Sequence, residues 1–77
     1  MSYTEEELDA IFAKGKIILG KDTNMYRKDI AGKIMYRPSH GNRLKMGWEV
    51  DHIIPLAKSG KDDLSNWQPL QWETNRR

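Results

Sequence analysis

The sequence predicts a small α+β domain, and three observations predict it. An acid-capped apolar pattern with helical spacing opens the chain at Thr4–Phe12. Short runs with strand-like alternation occupy the middle. A proline-marked helical stretch closes the chain after Leu64-Ser65-Asn66-Trp67-Gln68-Pro69. Seventy-seven residues make one domain at most, with a core that is marginal without a fastener. There is no cysteine, which excludes disulfides and thiolate zinc knuckles. A bound metal is left as a way to tie two segments together. The missing cysteines also fit a reducing cytoplasm.

Thr4-Glu5-Glu6-Glu7 reads as a capping box, with Thr4 accepting from an early amide and Glu7 reaching back. The acids suit the positive end of the helix dipole. Leu8, Ile11 and Phe12 share one face and Gly15 is a stop, so a helix is expected from Glu5 to Lys14. Ile17-Ile18-Leu19 is a short apolar run closed by Gly20, and Lys21-Asp22-Thr23-Asn24 reads as a turn. Met25–Asp29 is either extended or one helical turn. Lys33-Ile34-Met35-Tyr36-Arg37 alternates like a strand, and Pro38–Asn42 is a loop. After Gly47, Trp48–Ile53 reads as a strand that Pro55 ends, lacking an amide proton. Lys58–Asp63 is a polar loop. Leu64–Pro69 is expected to return as a strand, and Leu70–Arg77 to form a short helix behind Pro69. Trp48, Trp67 and Trp72 are assigned to the core, because few other large apolar groups are available.

Charge is unevenly spread. Residues 1–13 carry four acids and no base; residues 14–45 carry nine bases against two acids. Residues 46–77 carry four bases and five acids. The basic middle can contact a polyanion, nucleic acid being the usual one, or can be a solvated mixed-charge surface. The acidic start is no secretory signal. The longest apolar run falls far short of the roughly 20 residues that span a bilayer, so no membrane role is expected.

The chemistry-bearing stretch is Trp48-Glu49-Val50-Asp51-His52-Ile53-Ile54-Pro55, followed by Asn66 and Asn75. Neighbours in a strand point to opposite faces, so Asp51 and His52 divide the work rather than share an ion. Asp51 can hold a cation, and an imidazole can accept a proton from attacking water. A hard cation prefers oxygen, which the Asp51 carboxylate and the Asn75 amide supply from strand and helix. Asn66 carries an amide that donates and accepts at once, and can pin the long loop near His52. Glu49 shares the face of Asp51 and is expected to pair with a base. His40, in a Ser-His-Gly loop, reads as an ordinary exposed histidine, with metal ligation or phosphate contact as the alternative.

Val50-Asp51-His52-Ile53-Ile54-Pro55, the Gly60 loop, Leu64–Leu70 and Asn75-Arg76-Arg77 together resemble the HNH endonucleases, the ββα-metal fold. The three name positions fall at His52, Asn66 and Asn75, the last an asparagine variant of the final histidine. The resemblance is specific over residues 47–77, weaker over 16–46 and silent over 1–15. It implies a single HNH nuclease domain over 1–77: an N-terminal helix (1–15), a basic lead-in with an extra short strand or hairpin (16–46), and the ββα-metal motif (47–77). It implies hydrolysis of DNA phosphodiesters with one divalent metal. Magnesium comes first, with manganese, nickel or zinc as alternatives. The products carry 5′-phosphate and 3′-hydroxyl ends. On the same basis His52 is the general base, Asp51 and Asn75 are metal ligands, and Asn66 fixes the loop. Two departures stand out. The paired cysteines of many relatives are missing, and the basic tail of this subtype does not follow Arg77.

Arg27, Lys28, Arg37, Arg43, Arg76 and Arg77 are the candidates for contacting the DNA backbone. No recognition helix is apparent, so low sequence specificity is expected, with single-strand nicking by a monomer and double-strand cutting only by a dimer or two visits. Two other readings compete. One is a nucleic-acid-binding module that keeps the fold without catalysis. The other is a structural metal domain that serves a protein partner.

Overall fold

Thr4 and Glu7 close the expected capping box: Thr4 N–H donates to Glu7 Oε1 at 2.9 Å and Glu7 N–H to Thr4 Oγ1 at 3.0 Å. They start helix α1 (Glu5–Phe12) in a computed structural model that describes residues 2–76. The helix ends two residues before Lys14. Lys14 and Gly15 turn back onto Ile11 O and Phe12 O in a tighter last turn, and Gly15 lies against Arg27. Lys14 then bonds outward through Nζ to Leu64 O and, at 2.6 Å, to Trp67 O, stapling the helix end to the later half of the chain.

Strands β1 (Lys16–Ile17), β2 (Tyr26–Lys28) and β3 (Ile34–Tyr36) form an antiparallel meander in that order. The Met25–Asp29 segment is therefore extended over Tyr26–Lys28, with Met25 in the turn that Asp22 O closes. The apolar run beside β1 is not core: Ile17 and Leu19 are exposed. Strand β4 (Trp48–His52) pairs antiparallel with β5 (Trp67–Gln71), from Trp48 opposite Gln71 to His52 opposite Trp67. Helix α2 (Trp72–Asn75) follows directly, which completes a ββα unit. Leu64–Asn66 is a 3-10 turn rather than strand, because the Asp63 carboxylate caps it through Ser65 N. Pro69 lies inside β5 and not at a helix entrance. The bonds from Ile53 N–H to Asn66 O and from Trp72 N–H to Gly47 O put the ladder at alternate pairs, so Pro69, opposite Val50, falls between them and its missing N–H costs no ladder bond.

Strand alternation sets the two faces of this ribbon. Trp48, Trp67 and Val50 pack with Leu8, Ile11 and Phe12 of α1 and with Met35 of β3. Glu49 and Asp51 lie on the other face, towards α2. The tryptophans divide: Trp48 and Trp67 are buried, whereas Trp72 is half-buried and donates to Leu44 O. The buried Asp29 carboxylate joins the two sheets. It accepts from Ala31 N and Lys33 N at 2.9 Å in its own turn and from Gln71 N at 3.0 Å in β5. Among the described residues, no helix is long and apolar enough to cross a membrane.

Candidate active site

His52 ends β4, and the chain then runs through a long loop before β5 returns beside it. Asn66 holds that loop. It is buried at 5% exposure, and every bond its amide makes is to loop backbone. Oδ1 accepts from Ile54 N, and Nδ2 donates to Ile54 O and Lys61 O, all at 2.8 Å. Gly60 is needed for this closure: a Cβ there would stand 1.9 Å from Ile54 O and 2.9 Å from Asn66 Nδ2.

The His52 imidazole faces Asp62, with Nε2 2.8 Å from Oδ1. The same oxygen accepts from Trp67 Nε1 at 3.0 Å. These two bonds, that of His52 first, hold the Asp62 carboxyl below the usual carboxylate range. Tyr3 packs edge-on against Trp67 with centroids 5.0 Å apart. Burial, and then the negative charge of Asp62, push its hydroxyl above the ordinary tyrosine value.

Asp51 lies across the ribbon from Gln68, whose Nε2 donates to Asp51 Oδ2 at 2.9 Å. Asn75 reaches the same face from α2 and donates through Nδ2 to Glu49 Oε1 at 2.8 Å. Arg76 completes the group by pairing with Glu49 Oε2 at 2.9 Å, the base partner expected for Glu49. Strand β4 thus gathers the groups singled out in the sequence, on its two faces and at its end. The ion that the HNH resemblance implies can be judged against this donor set. Among the described residues, Gln68 bonds Asp51 through Oδ2 and leaves Oδ1 open, and the Asn75 amide spends its N–H on Glu49 rather than its carbonyl oxygen. One carboxylate and one amide oxygen suit a hard divalent cation that keeps much of its water. The set is thin, because no three His, Cys, Asp or Glu come together among the described residues.

The basic candidates separate by placement. Arg37 is buried, with Nε on Asp9 at 2.8 Å and Nη2 on Glu5 at 3.0 Å, so it anchors α1 rather than facing solvent. Arg27 is spent on backbone carbonyls, with Nε on Thr23 O and Nη1 on Ala13 O and Gly15 O. Lys28 stands directly opposite Lys16 in the meander. Arg43 is exposed, 5.8 Å over the Trp72 ring. Arg77 lies outside the described residues. His40 is not an ordinary exposed histidine. It is half-buried against Trp48, with ring centroids 4.9 Å apart. Burial first, and Arg37 second, lower its pKa.

Asp62 and Gln68 are the polar neighbours that sequence reasoning passed over. For Gln68, the ribbon register would have given the signal, since it falls opposite Asp51. Asp62 gave none, because a loop carboxylate looks the same whether it faces water or an imidazole.

Residues 37–77, more than half of the chain, match the family model described as HNH endonuclease. No curated protein and no solved structure matches the chain.

Proposed function

We propose, from the premise that this chain belongs to the HNH endonuclease family, that it hydrolyses phosphodiester bonds of DNA with His52 as the general base. The observation that carries this reading is the Asn66 clamp. Three bonds at 2.8 Å fasten the loop that leaves His52, which is the task a loop-fixing asparagine has in such a site. The half-buried imidazole, at the end of β4, takes the proton of the attacking water. Asp51 and Asn75 would hold the divalent ion, magnesium first, with Gln68 orienting the Asp51 carboxylate. When bound, such an ion polarises the phosphate and stabilises the leaving 3′ oxygen. The products then carry 5′-phosphate and 3′-hydroxyl ends.

Lys28, Arg43 and Arg76 are the basic groups we assign to the DNA backbone. Arg27 and Arg37 are left out because their guanidiniums are committed internally. Contacts to backbone carry no sequence information, so specificity is low and one visit nicks one strand. The lack of cysteine suits work in a reducing cytoplasm.

A second reading, a nucleic-acid-binding module without catalysis, is favoured by one observation: the donor set is thin among the described residues. Supercoiled plasmid incubated with protein and magnesium or manganese separates the two readings. Relaxation that disappears with chelator and with His52→Ala, while the fold survives, supports the nuclease. Binding without relaxation supports the module. Equal cleavage by His52→Ala removes His52 from the mechanism.

A further inference from the structure

We propose that Asp62 is the positioning residue for His52, holding the imidazole with Nε2–H on the carboxylate and Nδ1 open as the proton acceptor. The inference rests on the nuclease reading and deepens it. The Trp67 indole N–H can only donate, so the Asp62 oxygen it touches at 3.0 Å is an acceptor. The same oxygen lies 2.8 Å from His52 Nε2, and with the Asp62 carboxyl ionised it has no proton to give, so Nε2 carries the one that bridges them. A neutral imidazole has one N–H, which leaves the Nδ1 lone pair free. Among the described residues, no protein group bonds Nδ1.

The carboxylate is itself held in place. His52 and Trp67 are directly opposite in the β4–β5 ribbon, so their two donors converge on one point. Asn66 Nδ2 fixes Lys61 O, one residue before Asp62. The Asn66 clamp therefore reaches His52 through Asp62. Asp63 cannot take over, because its side chain caps the following 3-10 turn.

The test is nitrogen-15 NMR of the whole protein with the imidazole neutral, alongside plasmid nicking with magnesium. We expect a single Nε2–H tautomer for His52 in the wild type. In Asp62→Ala we expect mixed tautomers and a kcat lower by roughly tenfold to hundredfold, with KM little changed. Asp62→Asn retains an oxygen that accepts both donors, so it should keep the tautomer and recover most of the rate. An Nδ1–H tautomer in the wild type overturns the proposal, as does an unchanged tautomer in Asp62→Ala. Should Asp62→Ala fail to fold, loss of the Nε2–H form in Asp62→Asn overturns it alone. If the wild type nicks no plasmid, the nuclease reading fails, and the ring nitrogens still decide the role of Asp62.

Discussion

Asn66 is the side chain whose chemistry is least replaceable, because its amide both accepts and donates in one buried place. Asn66→Ala leaves Ile54 N–H and two carbonyls without partners. A buried group left unpaired costs about 1–3 kcal/mol, but Ile54 and Lys61 are exposed and water replaces part of the loss, so the variant should lose roughly 2–4 kcal/mol, read as a lower urea midpoint. Asn66→Asp should be no better. It keeps the acceptor for Ile54 N but turns a second oxygen towards two carbonyl oxygens. Equal stability of Asn66→Asp and the wild type would show that the amide N–H groups contribute nothing. His40 has a different consequence, on the acid side of neutrality. Its lowered pKa means that the unfolded chain takes up a proton before the folded one does. Its contribution to stability is therefore complete above the ordinary histidine value and falls as pH drops towards the lowered one. Arg37 adds to this direction, while Glu5 and Glu49 oppose it. His40→Phe keeps a ring against Trp48 and removes the titration. Between about pH 7 and pH 5.5, unfolding midpoints of the wild type should fall more steeply than those of His40→Phe. Parallel curves would assign the acid sensitivity to other groups.

Between elements, the junction that matters most is Asp29, which belongs to neither sheet and bonds to both. Its three acceptor bonds link the β2–β3 turn to β5 through polar groups alone. Asp29→Asn preserves size but offers an NH2 where one of the backbone N–H groups points. We expect a cost of about 2–3 kcal/mol, comparable to losing a charge-assisted bond, with early loss of protection in the meander by hydrogen exchange. Uniform protection loss would mean that the two sheets unfold as one unit regardless of Asp29. The meander also carries an unfavourable pairing, Lys16 directly opposite Lys28. Both line a small cleft with Lys14, with Asp29, whose carboxylate is taken up by three backbone N–H groups, and with Gln68, the residue bonded to Asp51. Like charges in register are relieved by an anion between them, and DNA phosphate is the anion our functional reading supplies. Lys16→Glu should therefore stabilise the free protein slightly and weaken DNA binding. Its binding should also depend less on salt, the logarithmic slope falling by about one unit for each phosphate no longer neutralised. An unaltered salt slope would place the DNA elsewhere.

For the whole molecule, what could be read from sequence was what local chemistry dictates. The capping box, the apolar face of α1 and the β4 run follow from residue type and spacing, and all three are found where the pattern puts them. The misreadings lie where a tertiary contact decides. Leu64–Asn66 alternates like a strand, but Asp63 caps it into a turn. Pro69 looks like a helix start, but a gap between ladder bonds accommodates it. Arg37 looks like a surface base, but two acids of α1 draw it inside. The site shows the same divide: Asp51, His52, Asn66 and Asn75 are marked by motif, whereas Asp62 depends on where a loop returns. This arrangement leaves the two arms of the ββα unit joined at their far end mainly by polar bonds, Asn75 and Arg76 to Glu49. An ion held between Asp51 on β4 and Asn75 on α2 would bridge the same two arms and bind only the folded chain. Mass action then raises stability with metal concentration, by about 2.7 kcal/mol at a hundred times Kd. In a domain this small, that is a rise in Tm on the order of 10 °C. We expect manganese or magnesium to raise Tm progressively, chelator to reverse the rise, and Asp51→Ala and Asn75→Ala each to abolish it. Arg43→Ala should leave the rise intact, because its guanidinium, over the Trp72 ring, is a cation and no ligand for one. A Tm that ignores the metal, or a rise that persists in both ligand variants, would place the ion outside this pair.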